Sequence, residues 1–392
     1  MHWPIAQPES GLWFNNGPTV IRISTVGTGM FGLKSLRYFG GRFFRANSVS
    51  SWSFLVMLSR LQKIEIAGLL LAYTSLLPTA AMAQITPDAT LGTESSRVRP
   101  GAALRRGGTA DLIEGGATRG ANLFHSFSEF NVNDGQRVYF ANPDGIANIL
   151  SRVTGTDVSD IRGTLGVDGS ANLFFLNPNG INFGPDARLD VLGSFLATTG
   201  NDFLFPGGST FGTGNPQAPS LLTVSVPVGV QYGGRVPGAI VVDGAILFVD
   251  SGKSLILAGG TIRLDNALLE TIELATGNFP ADGGRVELGA ASAGTVGINQ
   301  NGGQFSLSFP DSTLRSDISI VNGSSIDVRA EDKGAISVYA RNLEMLSGGR
   351  LRAGVIAFLS LIQYNLYNSV RFAYHPNETL FPRLASEGCR DL

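Results

Sequence analysis

Apolar and polar residues alternate along Asn122-Leu123-Phe124-His125-Ser126-Phe127-Ser128-Glu129-Phe130-Asn131-Val132, the period expected of a half-buried strand. Short apolar runs of the same kind follow at 136–140, 149–154, 161–167, 172–176 and 188–191. Turn residues (Gly, Asn, Asp and Ser) separate them. The texture returns at 239–242, 245–249, 254–257, 261–264, 285–288, 325–328 and 335–338. No long stretch carries a helical period, so the pattern predicts an all-β chain. Strands about ten residues apart suit either a sandwich or a parallel β-helix. The frequent turn dipeptides Asp168-Gly169, Asp243-Gly244 and Asp282-Gly283 favour a solenoid. Its rungs would take about 20–25 residues each. A solenoid exposes an open edge at its first rung and needs a cap there, for which residues 84–130 are the candidate. Phe203–Gly208 and the Pro/Gly-rich stretch 206–219 are expected to form a loop that leaves the coil.

One strand-turn unit occurs twice. Asn177-Pro178-Asn179-Gly180-Ile181 follows the apolar run Leu173-Phe174-Phe175-Leu176, and Asn142-Pro143-Asp144-Gly145-Ile146 lies 35 residues earlier behind Tyr139-Phe140-Ala141. Asn at the first position, Pro at the second and Gly at the fourth are the residues of a type I turn.

Composition supports a turn-rich β protein. Gly contributes 51 of 392 residues, nearly twice the usual share, and charged residues only 15%, against the usual quarter. A hydrophobic content of 43% argues against disorder. The net charge of -2 gives no support for a nucleic-acid partner. Cys389 is the single cysteine, so no intrachain disulfide would obstruct passage of an unfolded chain through a narrow pore.

Residues 57–83 read as a secretory signal peptide. Met57 is followed by Arg60 and Lys63, an apolar run over 66–77, Pro78 and the A-x-A site Ala81-Met82-Ala83, with Gln84 as the expected mature start. Glu65 is the one residue out of character. The run of about 12 residues falls short of the roughly 20 that span a bilayer. Residues 1–56 are basic, hold all three Trp residues, and are expected to be disordered. They are either a mis-assigned start upstream of Met57 or an extended n-region.

The stretch from about 110 to 200 resembles the N-terminal secretion domain of filamentous haemagglutinin-like exoproteins, the substrates of two-partner secretion. The matching segments are NLFHSFSEFNV at 122–132, Asn142-Pro143, NILSRVTG at 148–155, Ile161-Arg162-Gly163, ANLFFLNPNGINFG at 171–184 and GSFLATT at 193–199. Their phrasing is similar to that of the cyanobacterial branch. The resemblance covers most of 84–353, tightly to about 200 and loosely afterwards.

The resemblance implies a right-handed parallel β-helix, a single-stranded solenoid of the pectin-lyase type with an N-terminal β cap. It implies export by the general secretory machinery, then recognition of the unfolded chain by the POTRA domains of an outer-membrane barrel partner. It places the mature protein outside the cell or on its surface, with an adhesin-like role and host or neighbour-cell glycans as possible ligands. An extended segment can add to a sheet edge of such a partner, and a solenoid can fold rung by rung as it emerges. Asn142, Pro143, Asn177, Pro178, Asn179, Gly180 and Ile181 are then the candidate secretion determinants; the plainer role is turn-making, and the two are compatible. The family's first motif is often written NPNL, from which Asn142-Pro143-Asp144-Gly145 departs. Asn177→Ala is expected to block secretion while leaving folding of the purified domain largely intact. The tail 355–392 departs from the family's texture, which points to a frameshift or truncation near 355, with a short C-terminal cap as the alternative.

Two other functions compete. β-Helices also host polysaccharide lyases and hydrolases, whose chemistry needs clustered carboxylates. Here Asp157, Asp160, Asp168, Asp186 and Asp190 are scattered through turns. His125 sits within a strand, where packing or capping is the expected role. No nucleophile set, metal-ligand spacing or cofactor motif occurs, so no enzyme activity and no cofactor is expected. A glycan-binding module would be favoured if Phe203, Phe205 and Phe211 lay exposed on one face; a core or loop-anchoring role is the stronger expectation for them.

Overall fold

The computed structural model describes residues 85–214, 216, 223–271, 283–330, 334–354 and 370–372. The signal-peptide segment, residues 1–56 and most of the tail lie outside the described residues. Among the described residues there is no α-helix, only strands and two short 3-10 turns.

The described residues wind into seven rungs of a parallel β-helix with three faces, each rung laying a strand on every face except that the first reaches face 2 only as a bridge. Face 1 stacks Asn122–Phe130, Asn148–Val153, Asn172–Leu176, Phe195–Thr198, Ser254–Gly259, the start of Arg285–Asn301, and Ala335–Tyr339. Face 2 begins as a single bridge from Val132 to Ile161 and runs from Ser159–Ile161 to Leu343–Met345. Face 3 runs from Arg137–Ala141 to Arg350–Arg352. The register partners Leu123, Ile149, Leu173 and Phe195 lie 26, 24 and 22 residues apart, close to the rung length expected. The expected right-handed parallel β-helix is therefore the fold.

Because side chains alternate across a strand, Leu123, Ile149, Leu173, Phe195, Leu255, Val286 and Ile336 point into the coil and form one continuous column. Each such fully buried side chain contributes roughly 1.5–3 kcal/mol. The alternate positions of face 1, among them Phe124, Leu150, Phe174, Leu196 and Ile256, point outward but are equally buried. They are covered by a second, antiparallel sheet outside the coil. Its strands are Thr210–Gly212, Asp202–Leu204, Gly229–Tyr232, the outer half of Arg285–Asn301, and Gln304–Ser308. This sheet comes from two excursions, one between the first and second faces of rung 4 and one at the same corner of rung 6. Phe174 shows the join: its ring meets Phe203 at 5.9 Å and Phe305 at 5.2 Å, both edge-on. Strands buried on both sides read as unbroken apolar runs, which accounts for Leu173-Phe174-Phe175-Leu176.

Two boundaries differ from expectation. The cap ends near residue 121 rather than 130, because Asn122–Phe130 already pairs in parallel with the next rung. The cap consists of Ile85–Pro87 and Ala117–Arg119, antiparallel on that strand, and of the hairpin Ser96–Ala103 with Thr109–Gly115. The expected loop at 203–219 instead supplies two strands of the external sheet. In the tail, Val370–Phe372 lies parallel beside Ala335–Tyr339.

Candidate functional site

The two Asn-Pro turns occupy different corners. Asn177–Ile181 links face 1 to face 2 in rung 3, and Asn142–Ile146 links face 3 back to face 1 between rungs 1 and 2. The fold does not bring them together into one surface.

The first turn has the predicted form, with Gly180 N–H donating to Asn177 O at 3.2 Å. Gly180 takes φ +135, a value that side chains disfavour. The Asn177 side chain is fully buried. Its Nδ2 donates to Asp157 O at 3.0 Å and Ser159 Oγ at 2.9 Å, and its Oδ1 accepts from Asn179 N at 3.0 Å. Pro178 and Ile181 are buried as well, and Asn179 is half-buried. Asn179 Nδ2 donates to Gly155 O at 2.8 Å, while its Oδ1 accepts from Arg235 Nη2 at 2.8 Å. With Asn177 so placed, the expectation that Asn177→Ala leaves folding largely intact is corrected. The substitution would take a partner from Ser159 Oγ in the interior, at about 1–3 kcal/mol for an unsatisfied group.

The second turn is displaced by one residue. Ile146 N–H donates to Pro143 O at 3.2 Å, so Pro143 is the first turn position and Gly145, at φ +83, the third. A positive φ at the third position is the type II arrangement, which corrects the type I reading. Asn142 is thereby free of the turn and acts as a brace. Its Nδ2 reaches Ile146 O at 2.9 Å, and its Oδ1 accepts from Ala171 N of the next rung at 3.0 Å. Gly169 lies directly against it; a Cβ there would meet Asn142 Oδ1 at 2.2 Å. Pro143 is exposed.

A ladder that motif reading missed begins face 1. Asn148 Nδ2 donates to Asn122 Oδ1 at 3.0 Å and Asn172 Nδ2 to Asn148 Oδ1 at 2.8 Å. At the top, Asn122 Nδ2 donates to Thr223 O and Ser225 O of the excursion. The available signal was Asn followed by Leu or Ile at the head of three strands spaced by one rung.

Arg152 was also missed. It is buried beneath the external sheet. Nε donates to Ser126 Oγ at 2.9 Å, Nη1 to Gly212 O at 2.8 Å, and Nη2 to Thr90 Oγ1 and Pro216 O, each at 2.8 Å. The guanidinium lies 4.5 Å from the Phe211 ring centre. Burial draws its pKa down to about 10, with Asp88 and Asp202 opposing. Burial raises Asp88, but hydrogen bonds from Thr154, Thr90 and Ser126 outweigh it and hold the carboxyl below its usual value. The cluster joins the cap, the first two rungs and the first excursion.

The rival sites fare less well. Phe203, Phe205 and Phe211 are core residues of the external sheet, buried at 0%, 4% and 1% exposure, so they offer no glycan-binding face. Phe124 stacks edge-on to Phe205 and Phe211. His125 points into the coil against Phe140, with Ser96 Oγ 3.0 Å from Nδ1. Burial drives its pKa down to about 3, so it is held neutral. Among the described residues no group of three His, Cys, Asp or Glu is placed to hold a metal ion.

Comparison with known proteins follows the same lines. The family model of the TPS secretion domain matches residues 83–338, from the cap through the face 1 strand of rung 7. Among solved structures, the chain is similar to the HMW1 secretion domain from Haemophilus influenzae at 20% identity and a TM-score of 0.41, the match covering 66% of each chain. It is similar to the filamentous hemagglutinin secretion domain at 15% identity and a TM-score of 0.31, covering 69% of this chain and 99% of that one. No curated protein sequence matches. The chain belongs to the TPS secretion domain family, the secretion domain of two-partner exoproteins.

Proposed function

We propose that this chain is a secreted exoprotein whose secretion domain is read, unfolded, by the POTRA domains of an outer-membrane transporter. After passage the same domain nucleates the β-helix. Export would run through the general secretory machinery and the periplasm, and the folded product would act outside the cell or on its surface as an adhesin. The observation that supports unfolded recognition is the burial of the signature. Asn177, Pro178 and Ile181 are enclosed and the Asn177 side chain is saturated with internal hydrogen bonds, so a partner can read them only before the fold closes. Threading and refolding suit a coil whose parallel strands pair only with those of neighbouring rungs. Among the described residues no group of three acidic or histidine side chains is placed to hold a metal ion, which leaves a lyase or hydrolase reading without a metal site. A glycan ligand would have to bind elsewhere than at Phe203, Phe205 and Phe211.

The test separates recognition from stability. Export of Asn177→Ala is compared with that of Leu269→Ala, a core truncation in rung 5 that costs about 2–5 kcal/mol. Recognition predicts that Asn177→Ala accumulates in the periplasm while Leu269→Ala is exported. Equal export of the two variants, at similar measured stability, removes the recognition role.

A further inference from the structure

The Asn177–Ile181 turn is built from two sides, and the two sides come from different parts of the chain. From rung 2, Asp157 O, Ser159 Oγ and Gly155 O receive the side chains of Asn177 and Asn179. From rung 4 come the partners of the backbone. Asn177 N–H donates to Thr198 O at 3.0 Å, Pro178 O accepts from Gly238 N at 2.9 Å, and Ile181 N–H donates to Ala239 O at 3.0 Å. Arg235 Nη2 then closes on Asn179 Oδ1 at 2.8 Å. The excursion separates Thr198 from Gly238, so the last of these partners lie about 40 residues beyond the first along the chain. Gly238 is pressed so close that a Cβ would stand 2.2 Å from the Asn179 carbonyl carbon and 2.4 Å from Gly180 N.

We infer that residues 235–239 are a latch that closes the signature turn and displaces the transporter from it. While rung 2 is in place and rung 4 is not, the side chains of Asn177 and Asn179 are ordered but the backbone groups at 177, 178 and 181 are unpaired. That is a short strand edge with its register already set, the form in which an extended partner segment adds to a sheet. Return of the chain at 235–239 occupies the groups at 178 and 181. Partner and latch therefore exclude each other, and release is coupled to the return of the chain from the first excursion to the coil. The inference rests on the reading of Asn177–Ile181 as a recognition element.

Pulse-labelling hydrogen exchange during refolding of the full chain tests it. The amide at 181 should become protected in step with Gly238 and later than amides of 149–153. In Gly238→Ala that late protection should be lost at 181 with 149–153 unchanged. Because Gly238→Ala could disturb the excursion more widely, Arg235→Ala supplies a second variant on an exposed side chain. It should raise native-state exchange at 177–181 about fivefold, the ratio for one lost hydrogen bond. Protection of the amide at 181 together with 149–153 and ahead of Gly238, or no change in either variant, overturns the latch. Normal export of Asn177→Ala would instead remove the recognition element and leave the exchange results standing.

Discussion

Replacing Arg152 by Met should release the cap and the first excursion from the coil while sparing rungs 3–7. The guanidinium makes four hydrogen bonds, to Ser126 Oγ, Gly212 O, Thr90 Oγ1 and Pro216 O. At about 1.5–3 kcal/mol for each bond to a charged group, the gross loss is roughly 6–12 kcal/mol. Against this stands the cost of holding the charge in the interior. A pKa drawn from 12.5 to about 10 corresponds to roughly 3 kcal/mol, which Met would relieve. Met also fills most of the volume, so no large cavity opens. Bonds in one network do not add, which places the net loss near about 3–5 kcal/mol. Urea unfolding of the purified domain gives the total, and native-state hydrogen exchange gives its location. Exchange should rise first over 85–90 and 202–214, where the lost partners lie. A loss below about 1 kcal/mol, or one spread evenly over all rungs, would refute the argument that Arg152 ties three parts of the molecule together.

Two further perturbations address face 3. Glu270 and Asp327 stack in register on adjacent rungs, and burial, then the Asp327 charge, raises the Glu270 pKa from 4.5 to about 7. The native state thus holds a proton that the unfolded chain has lost, so stability should fall as pH rises from about 4.5 through 7. Glu270→Gln should flatten that part of the profile relative to the parent when urea midpoints are compared at pH 5.5 and 8. Gly166→Ala should cost about 1–3 kcal/mol in the same assay, because its Cβ would meet the Tyr139 ring at 2.5 Å and Asp190 O at 2.9 Å. The Tyr139 hydroxyl, which donates to Asp190 Oδ2 at 2.6 Å, should lose that partner.

The coil was legible in the sequence because each rung is specified locally. Leu165, Leu189, Leu247 and Leu269 follow short polar turns, and the same inward column results wherever the pattern recurs. The external sheet was not legible. Its strands at 202–204, 229–232 and 304–308 have the same length and composition as rung strands, and what joins the two excursions into one cover is pairing across 64 residues, between Gln231 and Thr295, and packing on distant rungs, as Phe305 packs on Phe174. The aromatic run at 203–211 was ambiguous for the same reason: burial depended on a surface contributed by Phe124 and Phe174. At the second Asn-Pro turn, one residue decided the matter. Asp144 and Gly145 suit the middle of a type II turn as well as the end of a type I turn, and the hydrogen bonds of Asn142 to Ile146 O and Ala171 N select the former. The Asn177 side chain was placed in a turn correctly, but sequence spacing carries no information on its contact with Ser159 across the rung below.

The external sheet carries a kinetic consequence. In the first rungs of the coil each strand meets its neighbour 22 to 26 residues away, so each turn closes a comparatively short loop. The cover over face 1 is assembled from segments that begin at Asp202 and end only at Ser308, so its closure requires large loops to be ordered first. Until then Phe124, Phe174, Leu196 and Ile256 form an apolar stripe along one side of an otherwise finished rod. A newly exported molecule therefore passes through a sticky stage, in which the stripe can meet that of a neighbouring molecule before its own lid arrives. The rate of closing that lid, more than the rate of winding the coil, sets how concentrated these chains can be while they fold.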